Sequence, residues 1–459
     1  MIDALNEIFS AARVRTDAES LTAWGRDWTR SVAPAPAAVV FPEQASEVVA
    51  LVRLANRRGF KLVPSGGRTG LSGGAVASAG EIVVSFDRMN RIVGFNATDR
   101  IVRCQAGVVT RVLQEFAADQ GLYYPVDFAS SGSSQIGGNI ATNAGGIRVI
   151  RHGLTRDWVV GLTVVTGSGE LVECNHGLTK NATGYDFRHL MIGSEGTLGL
   201  ILEAEMRLAA PPEPQTVMVL GINRFGDILE VLACFQAALS LSAFEFFSEL
   251  ALTKVLEHRQ LRRPFARAAP FYALLEFDQG ETEQATAAFE ACVAQNWVED
   301  GVLSQSESQA RDLWQLREGI SESIAPFTPY KNDVSVKVSQ VPQFLVEVEA
   351  VVSSRYPDLE VCWYGHIGDG NLHLNILKPD ALDVSTFYER CHRISPQIFE
   401  VVERHSGSIS AEHGVGLLKR DFLGYSRTRV ERRLMRQLKA VFDPNQVLNP
   451  GKLLVADSG

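Results

Sequence analysis

Three glycine-dense loops constrain this chain more than any other feature. The first, Pro64-Ser65-Gly66-Gly67-Arg68-Thr69-Gly70-Leu71-Ser72-Gly73-Gly74, directly follows the apolar run Phe60–Val63. The second, Ser131-Gly132-Ser133-Ser134-Gln135-Ile136-Gly137-Gly138-Asn139, continues into Ala141-Thr142-Asn143-Ala144-Gly145-Gly146, and the third is Gly193-Ser194-Glu195-Gly196-Thr197-Leu198-Gly199. Loops of this kind expose successive backbone N–H groups, which can cradle a pyrophosphate. One such loop alone reads as an ordinary turn; three between residues 64 and 199 imply one large ligand. The 39 glycines and 18 prolines of the 459 residues are near average usage, so the information lies in their clustering. Neither GxGxxG nor GxxxxGK[ST] occurs, which leaves a Rossmann site or a P-loop without support and calls for another dinucleotide scaffold.

A chain this long, 46% hydrophobic and 21% charged, holds two or three domains at roughly 100 to 200 residues each. Strand Ala38–Phe41, helix Ser46–Arg58, strand Phe60–Val63 and strand Ile82–Phe86 read as a βαβ-like opening. Short strands follow at Ile101–Cys104, Val159–Thr166 and Leu171–Glu173, the last two joined by the hairpin turn Gly167-Ser168-Gly169. The first part is therefore α+β. At Pro211-Pro212-Glu213-Pro214 the glycine-rich character stops. Beyond it, helical spacing at Phe225–Ser240, Glu281–Gln295 and Val341–Ser354 mixes with strands Thr216–Gly221, Tyr272–Glu276 and Leu372–Ile376, a second α+β domain, before a final helix Arg429–Phe442.

Forty-four Lys and Arg against 53 Asp and Glu give a net charge of −9 with no basic run, which disfavours nucleic acid as a partner. The six cysteines form no CxxC pair and suit buried thiols in a reducing compartment, hence the cytoplasm. Asp3 and Glu7 among apolar residues predict an amphipathic helix from Met1 to Arg13 in place of an export signal, and no window is apolar enough for a transmembrane segment.

Chemistry-bearing side chains gather late in the chain. In Tyr364-Gly365-His366-Ile367-Gly368-Asp369-Gly370-Asn371-Leu372-His373-Leu374-Asn375, two histidines flank a glycine-bracketed turn that can bring them together, and strand alternation points His373 and Asn375 the same way. Further on, Ser410-Ala411-Glu412-His413-Gly414 adds a carboxylate and another histidine. Two imidazoles and a carboxylate from His366, His373 and Glu412 suit Zn2+, and Mn2+ or Fe2+ also fit, but the spacing is not HExxH and satisfied buried histidines remain the alternative. Arg317 and Ser321 stand four apart on a helix expected over Trp314–Ser321, and Lys331 enters a strand; composition alone makes both cations solvated surface residues.

The loops, in this order, resemble those of the flavoprotein superfamily typified by vanillyl-alcohol oxidase, and particularly its D-2-hydroxy acid dehydrogenase branch, over nearly the whole chain. The resemblance implies an α+β fold in which a PCMH-type FAD-binding domain at 1–210 is joined to a substrate- and metal-binding cap domain at 211–425, with 426–459 returning to the FAD domain. It makes Pro64, Ser65, Gly66, Gly67, Arg68, Thr69, Gly70, Ser72, Ser130, Ser131, Gly137, Gly138, Asn143, Gly145, Gly196, Ile201 and Asn449 the FAD-contact candidates. Some relatives link the flavin covalently through a histidine in the first loop, where this chain has Arg68, so noncovalent FAD is expected.

In that branch a metal, here Zn2+ or Mn2+ on His366, His373 and Glu412, binds the substrate's carboxylate and hydroxyl. His413 is then the general base, and Asn375 orients the substrate. Arg317, Ser321 and Lys331 match residues that face a distal carboxylate, an arrangement suited to such a group. The resemblance thus implies oxidation of D-2-hydroxyglutarate to 2-oxoglutarate, with electrons passed to an external acceptor such as electron-transfer flavoprotein or a quinone; a homodimer is compatible with it. The alternative is a D-lactate dehydrogenase or the flavin subunit of glycolate oxidase, whose substrates lack the distal carboxylate.

Overall fold

A computed structural model describes residues 1–29 and 31–455. The chain forms two compact units: Met1–Gly146, Gly153–Pro211 and the segment from Glu412 onward make the first, and Ile147–His152 with Pro212–Ala411 make the second.

The first unit contains two sheets. Ala38–Val40, Ile82–Ser85 and Leu62–Ser65 are parallel neighbours in that order. Parallel strands require a crossover, which the helix Ala45–Arg58 supplies; it buries Val48, Leu51, Val52 and Ala55, the spacing of one helical face. A short strand, Val14–Arg15, pairs antiparallel with Ala38–Val40. That pairing accounts for a departure at the N-terminus: the helix expected to reach Arg13 spans only Ile2–Asn6, and a 3-10 turn at Ala11–Arg13 leads into the sheet.

The other sheet has five strands, ordered Ile92–Asn96, Ile101–Gln105, Gly199–Arg207, Val159–Thr166 and Leu171–Cys174. Its expected hairpin forms, and Gly169 turns it at φ 81°, a conformation costly for any residue with a Cβ. The central strand, Gly199–Arg207, continues straight out of the third glycine loop, and the residue pattern did not announce it.

The second unit is built on a seven-stranded sheet ordered Asp300–Leu303, Gln215–Ile222, Phe271–Asp278, Leu241–Ser248, Val361–Gly365, Asn371–Ile376 and Tyr330–Ser335. Residues 147–152 belong here because Arg148 pairs with Glu276 at 2.7 Å and Arg151 with Asp278 at 2.6 Å. The chain rejoins the first unit at Glu412, earlier than the boundary expected after residue 425. The cause is a set of backbone ties: Leu417 and Leu418 N–H donate to the Ser72 carbonyl at 2.9 and 3.1 Å. No helix among the described residues is long and apolar enough to cross a membrane. All six cysteines are unpaired and five are buried.

Candidate active site

In the first unit the three glycine loops converge. A Cβ built on Gly67 would stand 2.1 Å from the Ser133 carbonyl oxygen, so the first and second loops meet backbone to backbone. A Cβ on Gly196 would stand 2.5 Å from Pro64 Cγ, bringing the third loop against the first. Gly193 and Glu195 N–H donate to the Ile140 and Ala141 carbonyls at 3.0 and 2.8 Å, closing the third side. The buried Asn449 side chain clasps two of the loops, its Nδ2 donating to the carbonyls of Gly74 at 2.9 Å and Glu195 at 2.7 Å.

This cradle fits a pyrophosphate. Among the described residues, the N–H groups of Gly66 through Ser72 donate to no protein acceptor, although the loop is largely half-buried. Gln135 Oε1, beside Gly66, and Asn449 Oδ1 are likewise buried without a partner. Buried polar groups are ordinarily satisfied, so such a concentration marks a surface shaped for a polar ligand. Gly138 sits in the first turn of the helix Ile136–Thr142, where a Cβ would meet nothing within 4 Å.

Other expected cofactor residues have roles inside the protein. Arg68 is held by the Gly66 carbonyl at 2.9 Å and by Asp87 at 3.3 Å, above the Trp24 ring. Ser130 accepts from Ser133 and Ser134 N–H, and Ser131 Oγ accepts from Arg111 at 3.4 Å. Ser65 and Ser72 are buried, Gly70 accepts from Trp28 N–H at 3.0 Å, and Thr69 and Gly145 are half-buried. Asn143 caps Arg156 N–H at 3.0 Å. Ile201 differs from the rest, its side chain being part of the core.

In the second unit the strand pair Val361–Gly365 and Asn371–Ile376 carries the histidines. Gly370, at φ 84° and with no room for a Cβ against the Val336 carbonyl, makes the turn between them. His366 and His373 stand edge to face with ring centroids 5.3 Å apart. Both are backed by buried carboxylates: His366 Nδ1 lies 2.8 Å from Glu245, and His373 Nδ1 lies 3.6 Å from Asp333. In the same turn, burial raises the Asp369 carboxyl to about 6.

Beside the histidines lies a cationic cluster. The helix expected over Trp314–Ser321 is interrupted at Gly319, which ends Glu307–Glu318, and Ser321 stands in the next turn, Ile320–Ser323. Arg317 is buried, its guanidinium 4.8 Å over the Tyr364 ring and its Nη2 2.8 Å from Glu245. Lys331 Nζ donates to Ser321 Oγ at 3.0 Å, and burial holds its pKa below the ordinary lysine value. Burial pushes the Tyr364 hydroxyl up to about 12, against the lowering influence of Arg317, Ser321 and Asn375 around it. Arg317 Nε and Asn375 Nδ2 are buried donors without an acceptor. Both cations, which composition alone would place on the surface and the resemblance turns toward the substrate, are drawn inward, and residue reasoning missed Glu245, Tyr364 and Asp333. Glu245 did leave a signal, as a lone carboxylate in the apolar strand Leu241–Ser248.

Glu412 and His413 open the last segment of the first unit. Two residues on, Val415 and Gly416 N–H donate to the buried Glu195 carboxylate, each at 2.8 Å.

Comparison with known proteins places this arrangement. Residues 36–175 match the FAD binding domain family and residues 211–453 the C-terminal domain of FAD linked oxidases, so the chain is an FAD-linked oxidoreductase. It is 58% identical over 459 residues to the D-2-hydroxyglutarate dehydrogenase of Stutzerimonas stutzeri (strain A1501), covering 99% of each chain. It is 53% identical to the protein of that name from Xanthomonas citri pv. viticola, covering 98% of this chain and 96% of that one. The chain belongs to the D-2-hydroxyglutarate dehydrogenase family. Its fold is also that of p-cresol methylhydroxylase, with a TM-score of 0.79 at 14% identity over 100% of this chain and 97% of that one.

Proposed function

We propose that the protein oxidises D-2-hydroxyglutarate to 2-oxoglutarate using noncovalent FAD and a divalent cation, Zn2+ or Mn2+. The observation that carries the substrate reading is the cluster of Arg317, Ser321 and Lys331 around Tyr364, with buried donors on Arg317 and Asn375 lacking well-directed acceptors. A distal carboxylate supplies acceptors for such donors, and an arginine fork with a lysine point charge suits it.

FAD, when bound, supplies the hydride acceptor. The loop N–H groups and the glycine surfaces hold its pyrophosphate, and the internally paired Arg68 leaves no side chain for a covalent link at that position. His366 and His373, with Glu412 one residue beyond Ala411, would hold the cation, which as a Lewis acid lowers the pKa of the substrate hydroxyl. Support for this set comes from the paired imidazoles and from Ala411 N–H, which donates to the Asp333 carbonyl at 3.3 Å and anchors the chain just before Glu412. His413 accepts the hydroxyl proton as a neutral imidazole. Asn375 orients the reacting carbon, and Arg317 and Lys331 fix the far end of the substrate. Electrons leave to an external acceptor, electron-transfer flavoprotein or a quinone, in the cytoplasm.

The test is anaerobic mixing of the FAD-loaded protein with D-2-hydroxyglutarate, D-lactate or glycolate, before and after chelator treatment, following bleaching of the oxidised flavin band. D-2-hydroxyglutarate bleaches fastest, chelation abolishes this, and Zn2+ or Mn2+ restores it. Faster bleaching by D-lactate or glycolate overturns the distal-carboxylate reading, and bleaching indifferent to chelation overturns the cation.

A further inference from the structure

We propose that Glu245 is a positioning residue that ties a cation ligand to the substrate clamp, an inference that rests on the proposed roles of His366 and Arg317. The strand Leu241–Ser248 is otherwise almost wholly apolar, and Glu245 within it is 1% exposed. An unpaired carboxylate at such a depth is strongly destabilising, so it is tolerated only with partners. Glu245 has two. Its Oε1 lies 2.8 Å from His366 Nδ1 and its Oε2 lies 2.8 Å from Arg317 Nη2.

Strand pairing sets this geometry. Phe246 is opposite Gly365 and Phe247 opposite Tyr364, so the register brings Glu245 up to His366. With Glu245 accepting from His366 Nδ1–H, the imidazole turns Nε2 toward the cation side as the ligand atom. The other oxygen holds the guanidinium over the Tyr364 ring, at the edge of the Ser321 and Lys331 cluster. Asp333 stands behind His373 in a comparable way, but its Oδ1 is engaged by Asn371 Nδ2 at 2.9 Å and not by an arginine. Glu245 alone among the described carboxylates contacts both a histidine of the pair and the clamp arginine.

The experiment titrates Zn2+ between the FAD-loaded protein and a chromogenic chelator, for the wild type, Glu245→Gln and Glu276→Gln. Glu276 is also a buried carboxylate, on the neighbouring strand, and serves as a control because it pairs with Arg148 and Trp314 instead. Loss of an outer carboxylate partner weakens metal binding about 10- to 100-fold. Glu245→Gln is expected to release Zn2+ more readily by that factor, and Glu276→Gln is expected to match the wild type. Equal retention in wild type and Glu245→Gln overturns the proposal and leaves the cation site standing. Equal loosening in both variants also overturns it, as a general effect of removing a buried charge. A wild type without Zn2+ affinity removes the cation site itself, and the role of Glu245 with it. Should Glu245→Gln not fold, Glu245→Asp, which keeps the charge but withdraws it from His366, must show the same loosening; unchanged retention there overturns the proposal.

Discussion

Glu195 and Gly416, 221 positions apart in sequence, are joined by a 2.8 Å hydrogen bond from backbone to carboxylate, and Val415 N–H reaches the same carboxylate. The side chain sits in the third glycine loop, with burial raising its pKa against the lowering by those two N–H groups. Glu195→Ala leaves the buried Gly416 N–H and the half-buried Val415 N–H unsatisfied, the buried one at a cost of about 1–3 kcal/mol. A melting temperature several degrees lower, together with reduced flavin content on purification, is the expected outcome. A variant with wild-type melting and full flavin would show that the 412–418 segment is held by other contacts.

Two glycine substitutions separate folding from cofactor binding. At Gly67 a methyl collides with the Ser133 carbonyl, so Gly67→Ala should lower stability as well as flavin content. At Gly138 a methyl meets no protein atom, so Gly138→Ala should melt like wild type when stripped of flavin yet bind FAD more weakly. Calorimetry of the stripped proteins and a flavin titration check both.

Lys331 makes the substrate affinity depend on pH. Its lowered pKa means that the charged form, which attracts a second carboxylate, is lost as pH rises through a value below that of an ordinary lysine. KM for D-2-hydroxyglutarate should therefore climb on the alkaline side while KM for D-lactate stays flat. Lys331→Arg, which does not deprotonate, should abolish the climb. Lys331→Ala should cost D-2-hydroxyglutarate turnover heavily and D-lactate turnover little; equal losses on both would remove Lys331 from the clamp.

Thiol reactivity should be confined to one position. Burial pushes Cys104, Cys292 and Cys362 up to about 12 and Cys174 and Cys391 to about 11, whereas Cys234 is half-buried. Mass mapping after brief alkylation of the native protein at pH 8 should find label at Cys234 first and at the others only on unfolding.

Local patterns carried much of this fold. Glycine density marked three loops that do meet, the glycine-bracketed turn at Gly370 brought His366 to His373, and the helix expected over Ser46–Arg58 forms as Ala45–Arg58. What local pattern could not supply was pairing at long range. Glu245 reaches His366 across 121 positions because two strands lie in register, and Tyr364 acquires Arg317 from a helix in another part of the chain. The amphipathic N-terminus misled for the same reason, since Val14 pairs with Val40 and pulls the chain into a sheet that its own residues do not encode.

Asn449, which clasps the first and third loops, gives the protein a temporal order as well as a spatial one. During synthesis residues 212–411 leave the ribosome before this asparagine exists, so the second unit can assemble while the cofactor cradle is still open. The bonds to Gly74 and Glu195 form only once Asn449 has been added, so a chain cut just before Asn449 keeps every residue of the second unit and lacks the clasp between its first and third cofactor loops.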